Sequence, residues 1–434
     1  MVRLGFASSF LILAAPAFSE QPPGEVDLPK PFATKSAQKF SKVIGWPEGK
    51  TPTAPSGFEV TRFVDDIEAP RWIYVLPNGD VLISQANGNP PRERQADLKK
   101  KKTPPDPVKG KRGAKPDRSS PNVVRLFRDT NGDGKPDEDY VLVEGIRQPF
   151  GMAVHGETLY VAASDAVYAY PFKVGDTKVG GEGKRIVELP AGGYNQHWTR
   201  NVVVSPDQTK LYITVGSSTN VDEENRDRKD PRRAAILIAN LDGSEARTFA
   251  SGLRNPVGLD FEPVTKKPWT AVNERDLMGD DLTPDYITSV QDGGFYGWPY
   301  VYFGKNKDPR HPNPPQEMVD KALTPDFGVG SHTASLGLVF YQGTSFPEKY
   351  RGGAFIGQHG SWNRSTFTGY QVAYIPFKDG KPAGKMEEFL GGFIADEAKS
   401  TVYGRPVGVA VAKDGSLLVA DDGASIIWRV QAKK

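Results

Sequence analysis

A histidine, an arginine and two side-chain amides recur at one phase of an internal repeat in this sequence. The repeat reads polar residue, proline, apolar residue, glycine, then an apolar strand, a turn and a second apolar strand. It is clearest at Gln148-Pro149-Phe150-Gly151, Asn255-Pro256-Val257-Gly258 and Arg405-Pro406-Val407-Gly408, and looser at His197-Trp198-Thr199-Arg200. Two weaker copies are Ala69-Pro70-Arg71-Trp72 and Ala334-Ser335-Leu336-Gly337. The position before the proline therefore reads Ala69, Gln148, His197, Asn255, Ala334 and Arg405, with Arg254 beside Asn255. A neutral imidazole can take a hydroxyl proton. A fixed guanidinium can stabilise charge growing on an oxygen, and convergent amides orient a polar ligand in a concave site. Of the five histidines, His155 lies in a His-Gly-Glu turn, His311 in a proline-rich loop, and His332 and His359 beside strands. Only His197 falls at this phase.

The elements that must hold these residues are short strands. Asn78-Gly79 and Asp414-Gly415 join consecutive strands, as residues that tolerate positive φ do in tight hairpins. With 46 glycines and 37 prolines the chain suits many strands and turns and leaves little room for helix. Six copies of a strand-turn-strand unit predict an all-β fold, a six-bladed β-propeller over residues 56–434. In that fold the residue before each first strand points at the central channel. An open sheet edge is a liability, so Phe58 to Phe63 is expected to pair with Ile426 to Val430 and close the ring.

The remaining segments bound the compartment and the chemistry. Arg3, the apolar run Leu4 to Pro16 and Ala17-Phe18-Ser19 read as a cleavable export signal over residues 1–19, and no later stretch reads as a membrane span. The mature protein is expected in the periplasm. Residues 20–55 form a proline- and lysine-rich lead-in arm, and about 87–120 a basic, low-complexity insertion. A formal net charge of +2 gives no argument for nucleic acid. The absence of cysteine excludes disulfides, thiolate zinc sites, cysteine nucleophiles and covalently attached haem.

The residues around these positions carry a resemblance. Gln148, Asn195-Gln196-His197 with Arg200, and Ser251-Gly252-Leu253-Arg254-Asn255-Pro256 resemble the soluble quinoprotein sugar dehydrogenases. His197-Trp198-Thr199-Arg200-Asn201 and His359-Gly360-Ser361-Trp362-Asn363-Arg364 look like the L-sorbosone dehydrogenase branch. The resemblance runs from about Gly57 to the C-terminus. It implies a six-bladed propeller binding pyrroloquinoline quinone (PQQ) and calcium at the top of the channel, and oxidation of a sugar or related alcohol. It assigns His197 as general base and Arg254 with Asn255 as catalytic and cofactor-binding. It also gives Gln148 as a quinone contact, Arg405 as the partner of cofactor carboxylates, and His359 or Arg364 in place of a cofactor-binding lysine. The cofactor calcium would sit on the backbone carbonyls of Asp276 and Leu277, where the family's Gly-Pro pair is replaced. With no haem motif in the chain, electrons would leave to a diffusible acceptor or another protein such as a separate cytochrome.

Asp129-Thr130-Asn131-Gly132-Asp133-Gly134-Lys135-Pro136-Asp137 alternates oxygen-bearing side chains as the first half of a calcium loop does, with Tyr140 in place of the closing glutamate. Asp129, Asn131, Asp133 and Asp137 are the candidate structural calcium ligands; the alternative is a plain hairpin. Two other functions compete with the dehydrogenase. One is a secreted binding propeller without catalysis. The other is a lactonase-type hydrolase, which would need side-chain carboxylates around a channel metal where this ring shows Gln, His, Asn and Arg. If the export reading is right, protein recovered from a Gram-negative periplasm starts at Glu20 on N-terminal sequencing. A retained apolar N-terminus would overturn it.

Overall fold

The computed structural model describes residues 26–88, 120–191 and 195–433; the export signal and nearly all of the basic insertion lie outside these. The described chain is almost entirely β. Its one α-helix is Gln316–Lys321. Six four-stranded antiparallel sheets follow one another along the chain. The first strands of sheets 1 to 6 are Pro70–Val75, Met152–His155, Val202–Val204, Pro256–Phe261, Ser335–Phe340 and Pro406–Val411. Each pairs with a second strand, in order Val81–Gln85, Thr158–Ala162, Lys210–Val215, Pro268–Val272, Ala354–Gln358 and Leu417–Asp421. The first five sheets are built from consecutive strands, apart from small insertions in sheets 4 and 5. The sixth takes its outer strand from the other end of the chain. Phe58–Val64 pairs antiparallel with Ile426–Ala432, with Phe58 opposite Ala432 and Thr61 opposite Arg429. The expected pairing of the two ends is therefore present, and it covers the edge that sheet 6 would otherwise expose.

The glycine of the repeat explains how the sheets pack. Each first strand lies against the next sheet's first strand, and that of sheet 6 against that of sheet 1. At Gly258 an added Cβ would stand 2.6 Å from the Leu338 nitrogen and 2.7 Å from the Leu336 oxygen of sheet 5. Gly337 meets the Val407 carbonyl of sheet 6 in the same way, and Gly408 would put a Cβ 2.7 Å from the Arg71 oxygen of sheet 1. Only hydrogen fits between these backbones. Gly151 approaches Asn201 of sheet 3, and the Asn201 amide reaches on to the Val257 carbonyl of sheet 4 at 3.1 Å. This contact corrects the sequence alignment. Asn201, not Arg200, takes the glycine's place in sheet 3, so the residue in phase with Gln148 and Asn255 is Trp198, and His197 sits one residue earlier.

An apolar side chain at or beside the motif of each sheet fills the middle. Trp72, Phe150, Trp198, Val257, Leu336 and Val407, one from each sheet, belong to a single buried cluster. Three of the residues before the motif's second position, Ala69, Gln148 and Ala334, have left-handed backbones with φ near +50°, as the chain turns sharply into the centre. Beyond the cluster, towards the far ends of the first strands, lies a cavity of about 800 Å³ bordered by residues such as Tyr74, Val154, Phe261, Val339 and Val411. The polar residues singled out above lie at the opposite end of the strands.

Gly258→Ala should cost about 1–3 kcal/mol, the usual penalty of overpacking, seen as a lower urea midpoint. Gly181→Ala, where nothing lies within 4 Å, should shift it little. Equal midpoints in both variants would contradict this account of the packing.

Candidate active site

The site occupies the end where first strands begin and second strands finish. Antiparallel pairing places Pro70 opposite Gln85, Pro256 opposite Val272 and Pro406 opposite Asp421. The residue following each second strand therefore borders the same mouth: Ala86, Ala163, Gly216, Asn273, His359 and Asp422. Sheets 1 to 3 supply small residues there, and sheets 4 to 6 polar ones. The repeat-based reading followed only the residues before the first strands, so it missed Asn273 and Asp422 and placed His359 by resemblance alone.

His197 is buried beneath this mouth. Its Nδ1 lies 2.9 Å from both the carbonyl oxygen and the hydroxyl oxygen of Ser217. A carbonyl accepts only, so Nδ1 carries the proton and Nε2 keeps the lone pair. Burial lowers the imidazole's pKa well below its ordinary value, and the charges of Arg254, Arg200 and Arg233 lower it further. His197 is thus a neutral imidazole. A Cβ at Gly216 would clash with the Asn255 Oδ1 and stand 2.6 Å from the His197 Cβ, so His197 and Asn255 are brought together across this glycine.

Arg254 is fully buried and held on every nitrogen. Nε donates to the Asn220 carbonyl at 3.2 Å, and Nη1 to the carbonyls of Asn273 and Glu274 at 3.1 and 2.5 Å. Nη2 donates to Asn220 Oδ1 at 2.8 Å and Asp276 Oδ2 at 3.1 Å. Asp276 also faces His332, whose Nδ1 is 3.4 Å from its Oδ1. Burial pushes the Asp276 carboxyl up, but the His332 hydrogen bond and the Arg254 charge outweigh it and leave it below the usual range. Burial alone would lower His332; its bond to Asp276 reverses this and raises it. Asn220 and the Asp276 carboxylate were invisible to the sequence reading, because they come from loops with no repeat phase, and His332 was left there as either channel-facing or surface.

A second cluster lies where sheets 5, 6 and 1 meet. Asp422 accepts from Arg71 and from His359 Nε2, the latter at 2.7 Å. Burial and the Arg405 charge bring His359 down to about 4, so it too is neutral at pH 7. Arg405 donates from Nε to the His359 carbonyl at 2.9 Å and from Nη2 to the Gly360 carbonyl at 3.0 Å. Arg71 lies 5.3 Å from the Trp198 ring, which links this cluster to the His197 side.

The remaining candidates separate. Gln148 is buried, its Nε2 donating to the Asn87 carbonyl at 3.0 Å. Arg364 binds Asp281 at 2.7 Å and the Asp280 carbonyl at 2.8 Å, which ties it to the loop after Asp276. In the 129–137 loop the side chains turn onto the loop's own amides: Asp129 accepts from Gly132 and Gly134, Asn131 from Asp133, and Asp133 from Lys135. Asp137 accepts from Thr130. This is the hairpin alternative's geometry, and among the described residues no group of three or more His, Asp or Glu side chains is arranged to hold a metal.

A planar, polar group suits the mouth. Gln148 Oε1, Thr199 Oγ1 and Asn255 Oδ1, from three neighbouring segments, are buried and without protein partners, a cost that a ligand would relieve. The Trp198-Val257 cluster gives an apolar floor, and Arg71 and Arg405 supply positive charge. These features fit a quinone bearing carboxylates. For calcium the chain offers the carbonyls of Asp276, which accepts from Asn220 at 3.2 Å, and of Leu277, while the Asp276 carboxylate is taken by Arg254 and His332. Further oxygen ligands would have to come from the cofactor.

The three buried histidines should titrate apart in an NMR pH series: His332 above the ordinary 6.5, His359 near about 4, and His197 neutral far into acid. The raised His332 adds stability that is present below the unfolded value and lost as pH rises through its folded one. The lowered His197 and His359 act oppositely, removing stability as pH falls below about 6.5. Three coincident titrations near 6.5 would contradict the site's electrostatics.

Comparison with known proteins fits this geometry. A computed match to the calcium structure of Trichoderma reesei carbohydrate-active enzymes family AA12 covers 90% of this chain and 98% of that one, with a TM-score of 0.70 and 19% identity. The holo form of the pyranose dehydrogenase PQQ domain from Coprinopsis cinerea covers 90% and 100%, with a TM-score of 0.68 and 18% identity. An uncharacterised protein of Borreliella burgdorferi is 28% identical over 306 residues, 68% of this chain and 78% of its own length. The fold is therefore that of the PQQ-dependent sugar dehydrogenases. The profile described as TrAA12-like matches residues 120–287 and 315–433, about two thirds of the sequence, and the chain belongs to that TrAA12-like family.

Proposed function

We propose that this chain is a periplasmic six-bladed propeller that oxidises a sugar, or a related alcohol, with bound PQQ and calcium. The observation that carries the reading is the neutral, buried His197. Its Nδ1 hydrogen is fixed on Ser217 and its Nε2 lone pair is left for a substrate proton, beside the partnerless Asn255 oxygen. PQQ, when bound, supplies the acceptor for the two electrons that leave the substrate carbon as hydride. The chain's residues do the rest. His197 Nε2 takes the hydroxyl proton as the carbonyl forms. Arg254, immobilised by five oxygens on Asn220, Asn273, Glu274 and Asp276, holds a fixed positive charge beside the reacting region without reorganising. Arg405 and Arg71 favour carboxylates at the opposite wall, as charge-assisted contacts do. Gln148 and Asn255 orient the group lying over the apolar floor. The sorbosone-like motifs around His197 and His359 favour a small aldose or sorbosone-like substrate, with a separate cytochrome or a diffusible dye taking the electrons.

The test is a PQQ titration in calcium-containing buffer, followed by dye reduction across a panel of aldoses and small alcohols. His197→Gln should keep cofactor binding and lower turnover by about a hundred- to ten-thousand-fold. Arg405→Ala should weaken cofactor binding while turnover at saturating PQQ changes less. Full activity of His197→Gln would reject the assigned base. A wild-type protein that takes up no PQQ would reject the function and leave a binding propeller.

A further inference from the structure

The turn that tethers Arg254 makes few backbone bonds to its own sheet. It follows the second strand of sheet 4 and runs from Asp276 to Asp281, and its amides are satisfied from elsewhere. Leu277 N donates to Asn363 Oδ1 at 2.7 Å, Gly279 N to Ser36 Oγ at 3.0 Å and Asp280 N to Thr34 Oγ1 at 2.7 Å. The Met278 carbonyl accepts from Phe32 N at 2.8 Å. Asn363 is itself held by the same segment, its Nδ2 donating to the Ala37 carbonyl at 2.7 Å. Just beyond, Lys39 N donates to the Trp362 carbonyl at 2.8 Å, and the Phe40 and Trp362 rings stack with centroids 5.6 Å apart. All of these partners lie in the lead-in arm, outside the repeat, or are fastened to it.

From this we infer that the arm residues Thr34 and Ser36, together with Asn363, are positioning residues for the site: they set the conformation of the Asp276–Leu277 turn, and so the affinity for a cofactor bound there. The geometry requires an external clamp. Leu277 has φ 73°, a left-handed conformation that costs a leucine energy and that a free loop would not keep. A Cβ at Gly279 would stand 2.9 Å from Thr34 Oγ1, so the arm lies directly on the turn. The turn's inner side is pinned by His332, whose Nε2 meets the Gly279 carbonyl at 2.9 Å and whose Nδ1 faces Asp276. With the arm outside and His332 inside, the Asp276 carboxylate is held against Arg254, and the Asp276 and Leu277 carbonyls keep one direction. Without the arm, the Gly279 and Asp280 amides lose their partners, and Asn363, which holds the Leu277 amide, loses its own tether on Ala37, while the sheets keep theirs. Their role as carbonyl donors to a bound group rests on the PQQ-calcium reading above.

The experiment uses the whole mature protein and two variants: Thr34→Ala with Ser36→Ala together, and Asn363→Ala. Hydrogen exchange of the protein without cofactor reads the positioning directly. The Gly279 and Asp280 amides should exchange at least about tenfold faster in the arm variant, and the Leu277 amide in Asn363→Ala, since each lost bond leaves an amide open to water, while core amides such as Leu259 and Ile287 keep their wild-type rates. The arm variant alters surface side chains, so it remains informative if Asn363→Ala does not fold. A PQQ titration in calcium buffer, followed by quenching of tryptophan fluorescence, should give about tenfold weaker binding in the arm variant, and Thr34→Ser in the Ser36 background should recover most of it. Unchanged exchange at the three amides would overturn the positioning role. Faster exchange with unchanged PQQ affinity would overturn the link from the turn to the cofactor. A wild type that binds no PQQ, with the exchange difference present, would overturn the cofactor reading while the arm's hold on the turn stands.

Discussion

The structure depends on backbones meeting backbones at its centre. Six first strands lie side by side, and at Gly258, Gly337 and Gly408 the neighbouring strand occupies the space a side chain would need. That closeness leaves little room at the middle, and each sheet sends an apolar side chain there. Trp72, Phe150, Trp198, Val257, Leu336 and Val407 belong to one buried cluster. It divides the central space in two: a cavity of about 800 Å³ towards one end of the strands, and a shallow polar mouth at the other. The large cavity and the site of chemistry are consequently different places. Polar groups gather at the mouth because the strands end there, and their backbone groups and side chains face the same small volume.

Within the mouth the charges are arranged in two ways. On one side, Asp276 sits between Arg254 and His332, and its charge is used to hold a guanidinium that has no freedom left. On the other, Asp422 sits between Arg71 and His359. Buried ion pairs of this kind add little net stability, and breaking one by removing a partner costs several kcal/mol because the other charge is left stranded. Their value is geometric. Each carboxylate fixes a cation and an imidazole in one arrangement, and the imidazole of His197 stands between them with no carboxylate of its own. Burial, and after it the charges of three nearby arginines, keep it neutral. An imidazole that stays uncharged across the physiological range is free to accept a proton without first losing one.

The arm belongs to the same logic. Trp46 donates to Asp421 Oδ2 at 2.9 Å, while Asp421 Oδ1 accepts from the backbone of Arg405 at 2.7 Å. Lys42–Val43 adds a parallel strand beside Thr401–Val402. The same segment that clamps the turn after Asp276 therefore also buttresses the strand start carrying Arg405. Repeats supply the sheets, and non-repeating chain fixes what stands on them.

The sequence alone determined the sheets and the closure. The spacing of Pro-x-Gly units and Asn-Gly turns is a local signal, because each unit encodes its own hairpin, and the pairing of Phe58–Val64 with Ile426–Ala432 follows from the need to cover an edge. It also singled out Gln148, Asn255 and Arg405, since equivalent places in a repeat must lie at equivalent places in space, with Arg254 beside Asn255, and it reached His197 one residue out of phase. The tertiary structure decided what periodicity cannot carry. It moved the register of sheet 3 by one residue, because Asn201 there does the work of a glycine and only the contact with Gly151 reveals it. It removed Arg364 to the clamp on the turn and turned the 129–137 carboxylates onto their own loop. It brought Asn220, His332 and Asp422 into the site from loops whose sequences obey no period, since their positions are fixed by partners far away along the chain.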